Sequence, residues 1–211
     1  MSIRTRVLSV IAGQLGNPHG LLGKGVAPAL NRGNAKAMAA CVEATGVGSG
    51  DTAADLGFGG GAGLSLLLDR VGPAGAVHGV ELSSDMLARA TTRFAPALTA
   101  GRLHLASGSL TALPLDTDLL DAAITVNTIY FVPDLPAACA ELARVVRPGG
   151  RVVLGIGDPA AMAKLPFTQY GFALRPVAEV IAALEEAGCT VTHREIPNRP
   201  FAHHVLTATP R

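Results

Sequence analysis

The sequence predicts an α/β protein built on a largely parallel sheet, on three observations. From about residue 50 onward, short apolar runs alternate with amphipathic segments of helical spacing, the pattern of strands joined by crossover helices. The first of those runs passes directly into a glycine-rich turn, Thr52–Gly63 reading TAADLGFGGGAG, with a helical pattern behind it. The chain is 211 residues long with 49% hydrophobic residues, enough for one domain with a substantial core. A mean hydropathy of +0.38 excludes disorder for the bulk of it.

The strands read as Thr52–Leu56, Ala76–Val80, Arg102–Ala106, Ala122–Val126 and Arg151–Ile156, and the helices between them as Gly63–Arg70, Asp85–Phe94 and Leu135–Val146. In the last helix Leu135, Cys139, Leu142 and Val146 share a face, Asp134 is placed to cap it, and Pro136 fits its first turn. Arg147-Pro148-Gly149-Gly150 reads as its stop signal. A further helix, Val177–Ala187, carries Val177, Val180, Ile181 and Leu184 at helical spacing, and two strands follow, Thr190–Glu195 and Val205–Ala208. Residues 1–50 differ. They read as helix over Ile3–Gln14 and Asn34–Ala44, joined by a stretch with glycines at 13, 16, 20, 23 and 25. This N-terminal helical arm is either a fixed cover on the sheet, residues 51–211 forming the core, or a lid over a pocket.

Composition excludes several classes of function. The 17 basic and 16 acidic residues nearly cancel, lysines occur only at 24, 36 and 164, and no basic stripe for nucleic acid is present. Mainly apolar stretches such as Ala62–Leu68 and Ala122–Val126 fall far short of the ~20 residues that span a bilayer. Cys41, Cys139 and Cys189 are few, odd in number and dispersed, which reads as reduced core thiols. A cytoplasmic protein without membrane or nucleic-acid partners is the expectation.

The glycine-rich turn carries the chemistry. It lets a ligand approach the backbone and aims the N–H groups of a helix start at that ligand. Asp55 at the tip of the first strand would repel a diphosphate and suits a positive group, such as the ammonium of a methionine moiety. Asp55-x-Gly57-x-Gly59-x-Gly61 therefore favours S-adenosyl-L-methionine over a nicotinamide dinucleotide. Glu81, closing the second strand, is placed to accept both hydroxyls of a ribose.

Taken in order, Asp55–Gly63, Val80–Met86, Gly108–Pro114, Asp121–Phe131 and Arg147–Gly150 resemble the class I S-adenosylmethionine-dependent methyltransferases, of the bacterial small-molecule type that includes the ubiquinone/menaquinone-biosynthesis enzymes. The resemblance covers roughly residues 50–211. It implies a doubly wound, Rossmann-like seven-stranded sheet in the order 3-2-1-4-5-7-6, the seventh strand antiparallel. It implies a methyltransferase that moves the methyl of S-adenosylmethionine to a small-molecule or modified-peptide acceptor by in-line displacement, leaving S-adenosyl-L-homocysteine. By the resemblance Gly57, Gly59 and Gly61 border the methionine portion, with Phe58 at the turn, and Glu81 holds the ribose. Leu82 and Met86 flank the adenine, Gly108 and Leu110 lie beside it, and Asn127 lies by the transferred methyl. Relatives often have Asp where this chain has Ser109, a neutral and weaker acceptor for the adenine amino group.

On the acceptor side, no acidic cluster follows the fourth strand to hold a metal. Tyr130, Phe131, Phe167, Tyr170, Phe172 and Phe201 are either walls of an acceptor pocket or plugs of core gaps. His19 and Tyr130 are the candidate catalytic residues: His19 as a base carried on the arm, Tyr130 as a group beside the acceptor. His78 and His104 lie inside strands and read as structural, and His193, His203 and His204 surround the last two strands. Two rival readings are a nicotinamide oxidoreductase, opposed by Asp55 and by the lack of a Tyr-x-x-x-Lys pair, and an inactive cofactor-binding regulator.

Overall fold

The structure, a computed structural model, describes residues 34–211 together with Leu8, Val10, Ala12 and Gly13. Seven strands form one sheet: β1 (Thr52–Leu56), β2 (Ala76–Glu81), β3 (Leu103–Ser107), β4 (Leu120–Val126), β5 (Val146–Gly157), β6 (Cys189–Ile196) and β7 (His203–Pro210). Their order is β3-β2-β1-β4-β5-β7-β6, as the resemblance implies. The pairs from β3 through β5 are parallel, and β7 runs antiparallel to both β5 and β6.

Helices cover both faces. On one side lie α1 (residues 34–45), α2 (Ala62–Val71) and α3 (Ser84–Arg93), followed by the short α4 (Ala95–Thr99). On the other lie α5 (Leu135–Val145) and α7 (Val177–Glu186), with α6 (Pro159–Met162) a single turn after β5. The pleat of β1 divides the core in two: Ala54 and Leu56 pack with α5 and α7, whereas Ala53 packs with α1 and α2. The central strands β1 and β4 and the second half of β5 are buried on both faces, which accounts for their reading as continuous apolar runs.

Helix starts follow the sequence signals. The Asp134 carboxylate accepts the Ala137 N–H at 3.0 Å, and the Ser83 hydroxyl accepts the Met86 N–H at 3.3 Å. Arg147–Gly150 departs from the expected turn and is taken up inside β5. Leu120 of β4 pairs with Val146 and Ala122 with Arg151, so the intervening residues bulge out, Gly149 adopting φ +77°. Three short pieces had no sequence signal: α4, α6 and a 3-10 turn at Ile129–Phe131. Each has too few residues for a periodicity to be read.

α1 belongs to the packed core. Ala37, Cys41 and Val42 are buried, and the Cys41 Sγ sits where a side chain at Gly155 of β5 would be. A Cβ there would lie 2.6 Å from that sulfur and 3.1 Å from Val126 Cγ1. Gly155→Ala is therefore expected to push α1 off the sheet and to cost about 1–3 kcal/mol, a fall of roughly 3–10 °C in melting temperature. Adding Cys41→Ala should recover most of the loss by vacating the space. A double variant no more stable than Gly155→Ala would show that α1 is not what resists the methyl.

Candidate functional site

A cavity of about 680 Å³ opens beyond the carboxyl ends of β1, β2, β3 and β4, where α/β sheets of this winding bind ligands. Its first wall is the glycine turn. Gly57, at φ +79°, donates its N–H to the Val80 carbonyl at 2.7 Å, and a Cβ there would strike Thr128 at 2.6 Å. Gly59, at φ +48°, has open space where its side chain would be. Both orientations belong to the left-handed region that glycine enters without strain. Phe58 between them is buried yet contributes to the wall.

Glu81 joins this turn to the next one. Its Oε2 accepts the Gly59 N–H at 2.8 Å, and its Oε1 accepts those of Leu82 at 2.8 Å and Ser83 at 2.9 Å. Oε1 is thus saturated, and Oε2 keeps capacity for a further donor. Beyond it Leu82 and the buried Met86 line the cavity, Leu82 being 58% exposed, which is unusual for so large an apolar residue. The third turn brings Gly108, Ser109 and Leu110 to the same wall. Ser109 is engaged locally, its hydroxyl 3.0 Å from the Thr111 hydroxyl and accepting the Thr111 N–H at 3.3 Å.

The end of β4 supplies the opposite wall. Asn127 is held at φ +57°, its N–H donating to the Gly155 carbonyl at 2.8 Å. Its Oδ1 accepts the Tyr130 hydroxyl at 3.1 Å, and that hydroxyl accepts the Gly157 N–H. Burial pushes the Tyr130 phenol above its ordinary pKa, so it stays neutral, a hydrogen-bonded strut with no tendency to act as a base at neutral pH.

Two of the expected cofactor residues do not line the cavity. Asp55 follows the pleat of β1 to the Ala53 side and ends beneath α2, where its Oδ2 occupies the place a Gly63 side chain would take, 2.3 Å from that Cβ position. Among the described residues neither of its oxygens completes a hydrogen bond, although the nearby Leu64 N–H offsets part of the cost. Burial first, and the Glu81 charge second, push its pKa up to about 8. Gly61 is occupied by the fold: at φ +73° it caps α2 and packs against the Phe94 ring. His19 and the glycines around it lie outside the described residues.

The aromatic residues come together in one part of the cavity wall. Tyr130, Phe131, Phe167, Tyr170, Phe172 and Phe201 all line the cavity, joined by Met162 and Leu165. Sequence reasoning missed Thr128, Val132 and Pro133 of the same turn, and Asn34 and Met38 of α1, which line it too. Only the approach of Thr128 to a glycine explains its place, and that is invisible before folding. The described histidines lie elsewhere. His78 and His104 stack at 4.9 Å, and His193, His204 and Asp158 form a chain with 2.9 and 3.2 Å contacts outside the lining. Among the described residues no group of three or more ligating side chains could hold a metal, and no helix is long and apolar enough to cross a membrane.

In sequence and in fold the chain is similar to known methyltransferases. Residues 54–154 match a family described as a methyltransferase domain. Nocamycin O-methyltransferase of Saccharothrix syringae is 33% identical over 153 residues, 71% of this chain and 51% of that protein. The geranyl diphosphate C-methyltransferase of Streptomyces coelicolor, solved with Mg²⁺, geranyl diphosphate and S-adenosyl-L-homocysteine, superposes with a TM-score of 0.72 at 18% identity, covering 94% of this chain and 88% of that one. A SAM-dependent methyltransferase from Aquifex aeolicus gives a TM-score of 0.68 at 21% identity, covering 82% of this chain and 89% of that one. The chain spans about a third to a half of the length of the curated relatives it matches.

The buried Asp55 generates a test of stability against pH. Its folded pKa of about 8 lies above the ordinary carboxyl value of 3.8, so the native state holds a proton that the unfolded state has lost. Stability from this group is complete below about pH 4 and falls as pH rises toward 8, by roughly 1.4 kcal/mol per pH unit at most. Asp55→Asn should consequently raise the melting temperature at pH 8 by several degrees, with the gain shrinking toward zero near pH 4.5. A gain independent of pH would mean that Asp55 keeps its charge in the fold.

Proposed function

Because the chain belongs to the class I S-adenosylmethionine-dependent methyltransferases, we propose that it transfers a methyl group from S-adenosyl-L-methionine to a small, largely apolar acceptor. The observation that carries this reading is Glu81: a carboxylate at the end of β2, at the cavity wall, with one oxygen still able to accept. The residues around it suit a nucleoside carrying an amino-acid tail. Glu81 Oε2 takes a ribose hydroxyl, so one oxygen serves the sugar where the sequence suggested two. Leu82, exposed and apolar, and Met86 give an adenine two flat contacts, and the Leu110 N–H and Ser109 hydroxyl face its edge. Gly57 and Gly59 leave room for the amino-acid portion, opposite Asn127. Asp55, buried behind the turn, acts on that portion only through the backbone it supports.

When bound, S-adenosylmethionine supplies an electrophilic methyl on a positively charged sulfur. The chain's own part is to position the acceptor in line with that methyl and to exclude water. Tyr130 fixes the Asn127 amide at the junction of the two halves of the cavity, and the aromatic wall seats the acceptor by its apolar surface. The three buried, free cysteines suit a reducing compartment, in keeping with a cytoplasmic enzyme. His19 as a base, carried by the stretch ahead of α1, belongs to the same proposal.

Calorimetry with S-adenosylhomocysteine tests it directly. Glu81→Ala should weaken binding at least 30-fold, and it should also lower the melting temperature, since three N–H groups of two turns lose a charged acceptor worth about 1.5–3 kcal/mol per bond. Titration with NAD should give no heat. Tight binding of NAD, or wild-type affinity for S-adenosylhomocysteine in Glu81→Ala, would overturn the assignment.

A further inference from the structure

Four backbone carbonyls converge on the guanidinium of Arg175. Nη2 donates to the carbonyls of Val132 at 2.8 Å and Pro133 at 3.0 Å, and Nη1 to those of Ile129 at 3.3 Å and Ala173 at 3.5 Å. Nε lies 3.5 Å from Glu179 Oε1 on α7, and the side chain is only 14% exposed. The carbonyls belong to two different walls. Ile129, Val132 and Pro133 sit in the turn after β4, whereas Ala173 ends the long connection after α6 and returns its own N–H to the Tyr130 carbonyl at 2.7 Å. Between these walls the rings pack as one group, with Phe172 at 4.6 Å from Phe131, 6.0 Å from Tyr130 and 5.9 Å from Phe167.

Arg175 itself is not part of the cavity lining among the described residues. It sits behind the wall. Its planar fork can meet several carbonyls at fixed angles, which an ammonium on a flexible stem cannot do. Each carbonyl it holds is near a residue whose side chain faces the cavity, so the guanidinium sets the spacing of the wall without contributing to its surface.

We propose that Arg175 is a positioning residue for the acceptor: it clasps the turn at 129–133 to the segment ending at Ala173 and so sets the width of the aromatic pocket. This rests on the reading of that wall as the acceptor site. The cofactor half is not held this way. Its turns are tied by Glu81 and by hydrogen bonds among neighbouring residues, none of which involves Arg175.

The composition of the chain provides a probe confined to the wall. Tyr130 and Tyr170 are its only tyrosines, it has no tryptophan, and both tyrosines line the cavity. Quenching of tyrosine emission by acrylamide therefore reports the acceptor wall, and calorimetry with S-adenosylhomocysteine reports the cofactor half. In Arg175→Gln the quenching constant should at least double while S-adenosylhomocysteine affinity stays within threefold of wild type; Arg175→Lys should fall between the two. Unchanged quenching in Arg175→Gln would overturn the proposal. So would a loss of S-adenosylhomocysteine affinity in step with the quenching, since that marks general loosening. If Arg175→Gln does not fold, Arg175→Lys decides by the same two measurements. Failure of the wild-type protein to bind S-adenosylhomocysteine would count against the methyltransferase reading alone, because the quenching comparison does not depend on the cofactor.

Discussion

Two carboxylates stand within a few residues of each other across neighbouring strands, and the site depends on how the fold treats them differently. Asp55 lies opposite Gly79 in the β1–β2 register, so Glu81 is only two residues further along. Burying two negative charges at this spacing would cost several kcal/mol. Glu81 meets three N–H donors, and those bonds draw the glycine turn and the start of α3 onto one group. Asp55 meets none of ordinary geometry, and with its pKa near 8 it is mostly protonated at neutral pH. A single charge is thus left at the cavity, held by the backbone it organises. Two of the three turns at this wall are set by this one group.

From that group the contacts run on to the aromatic wall. The turn fixed by Glu81 begins at Gly57, whose missing side chain admits Thr128. Thr128 follows Asn127, whose amide is bound by the Tyr130 hydroxyl, and the Tyr130 hydroxyl is bound by the Gly157 N–H at the end of β5. The strand ends of β1, β4 and β5 are therefore connected by a glycine, an amide and a phenol in succession. Asn127 tolerates φ +57° better than most residues, since its short polar side chain suits that region. A larger or branched residue at either Gly57 or Asn127 would disturb the whole series.

The fold was legible because its strands and longer helices carry full periods of their patterns and end at capping residues such as Ser83 and Asp134. That the glycine turn and the strand-end acid meet at one cavity was legible too, since glycines and an acid at that spacing admit few uses. What the sequence could not disclose was direction. Ala53, Ala54 and Leu56 are apolar on both faces of β1, so nothing in that run told which face Asp55 would join, and it joined the one beneath α2. Gly57, Gly59 and Gly61 look alike in sequence, yet one admits a neighbouring side chain, one faces open space and one caps a helix. Glu81 was recognisable as an acceptor. The number of its own chain's N–H groups competing for it depends on the shape of two turns, which is a tertiary matter.

The aromatic wall shows a different limit. Phe131, Phe167, Phe172 and Phe201 are spread over some seventy positions, as rings filling a core would be. They meet because β5 ends beside the β4 turn and the chain then returns through α6 to Ala173, where hydrogen bonds between main-chain groups and Arg175 close the loop. These bonds fall on carbonyls and N–H groups, and so do not depend on which side chains the wall presents. The wall around Glu81 is built the opposite way, with the carboxylate that faces the cavity also holding its backbone. Changes in the aromatic wall's side chains can therefore alter the shape of the cavity while the backbone behind them stays in place, whereas a change at Glu81 alters surface and scaffold together. On the function proposed above, that division would keep a nucleoside site fixed beside a pocket whose side chains are free to vary.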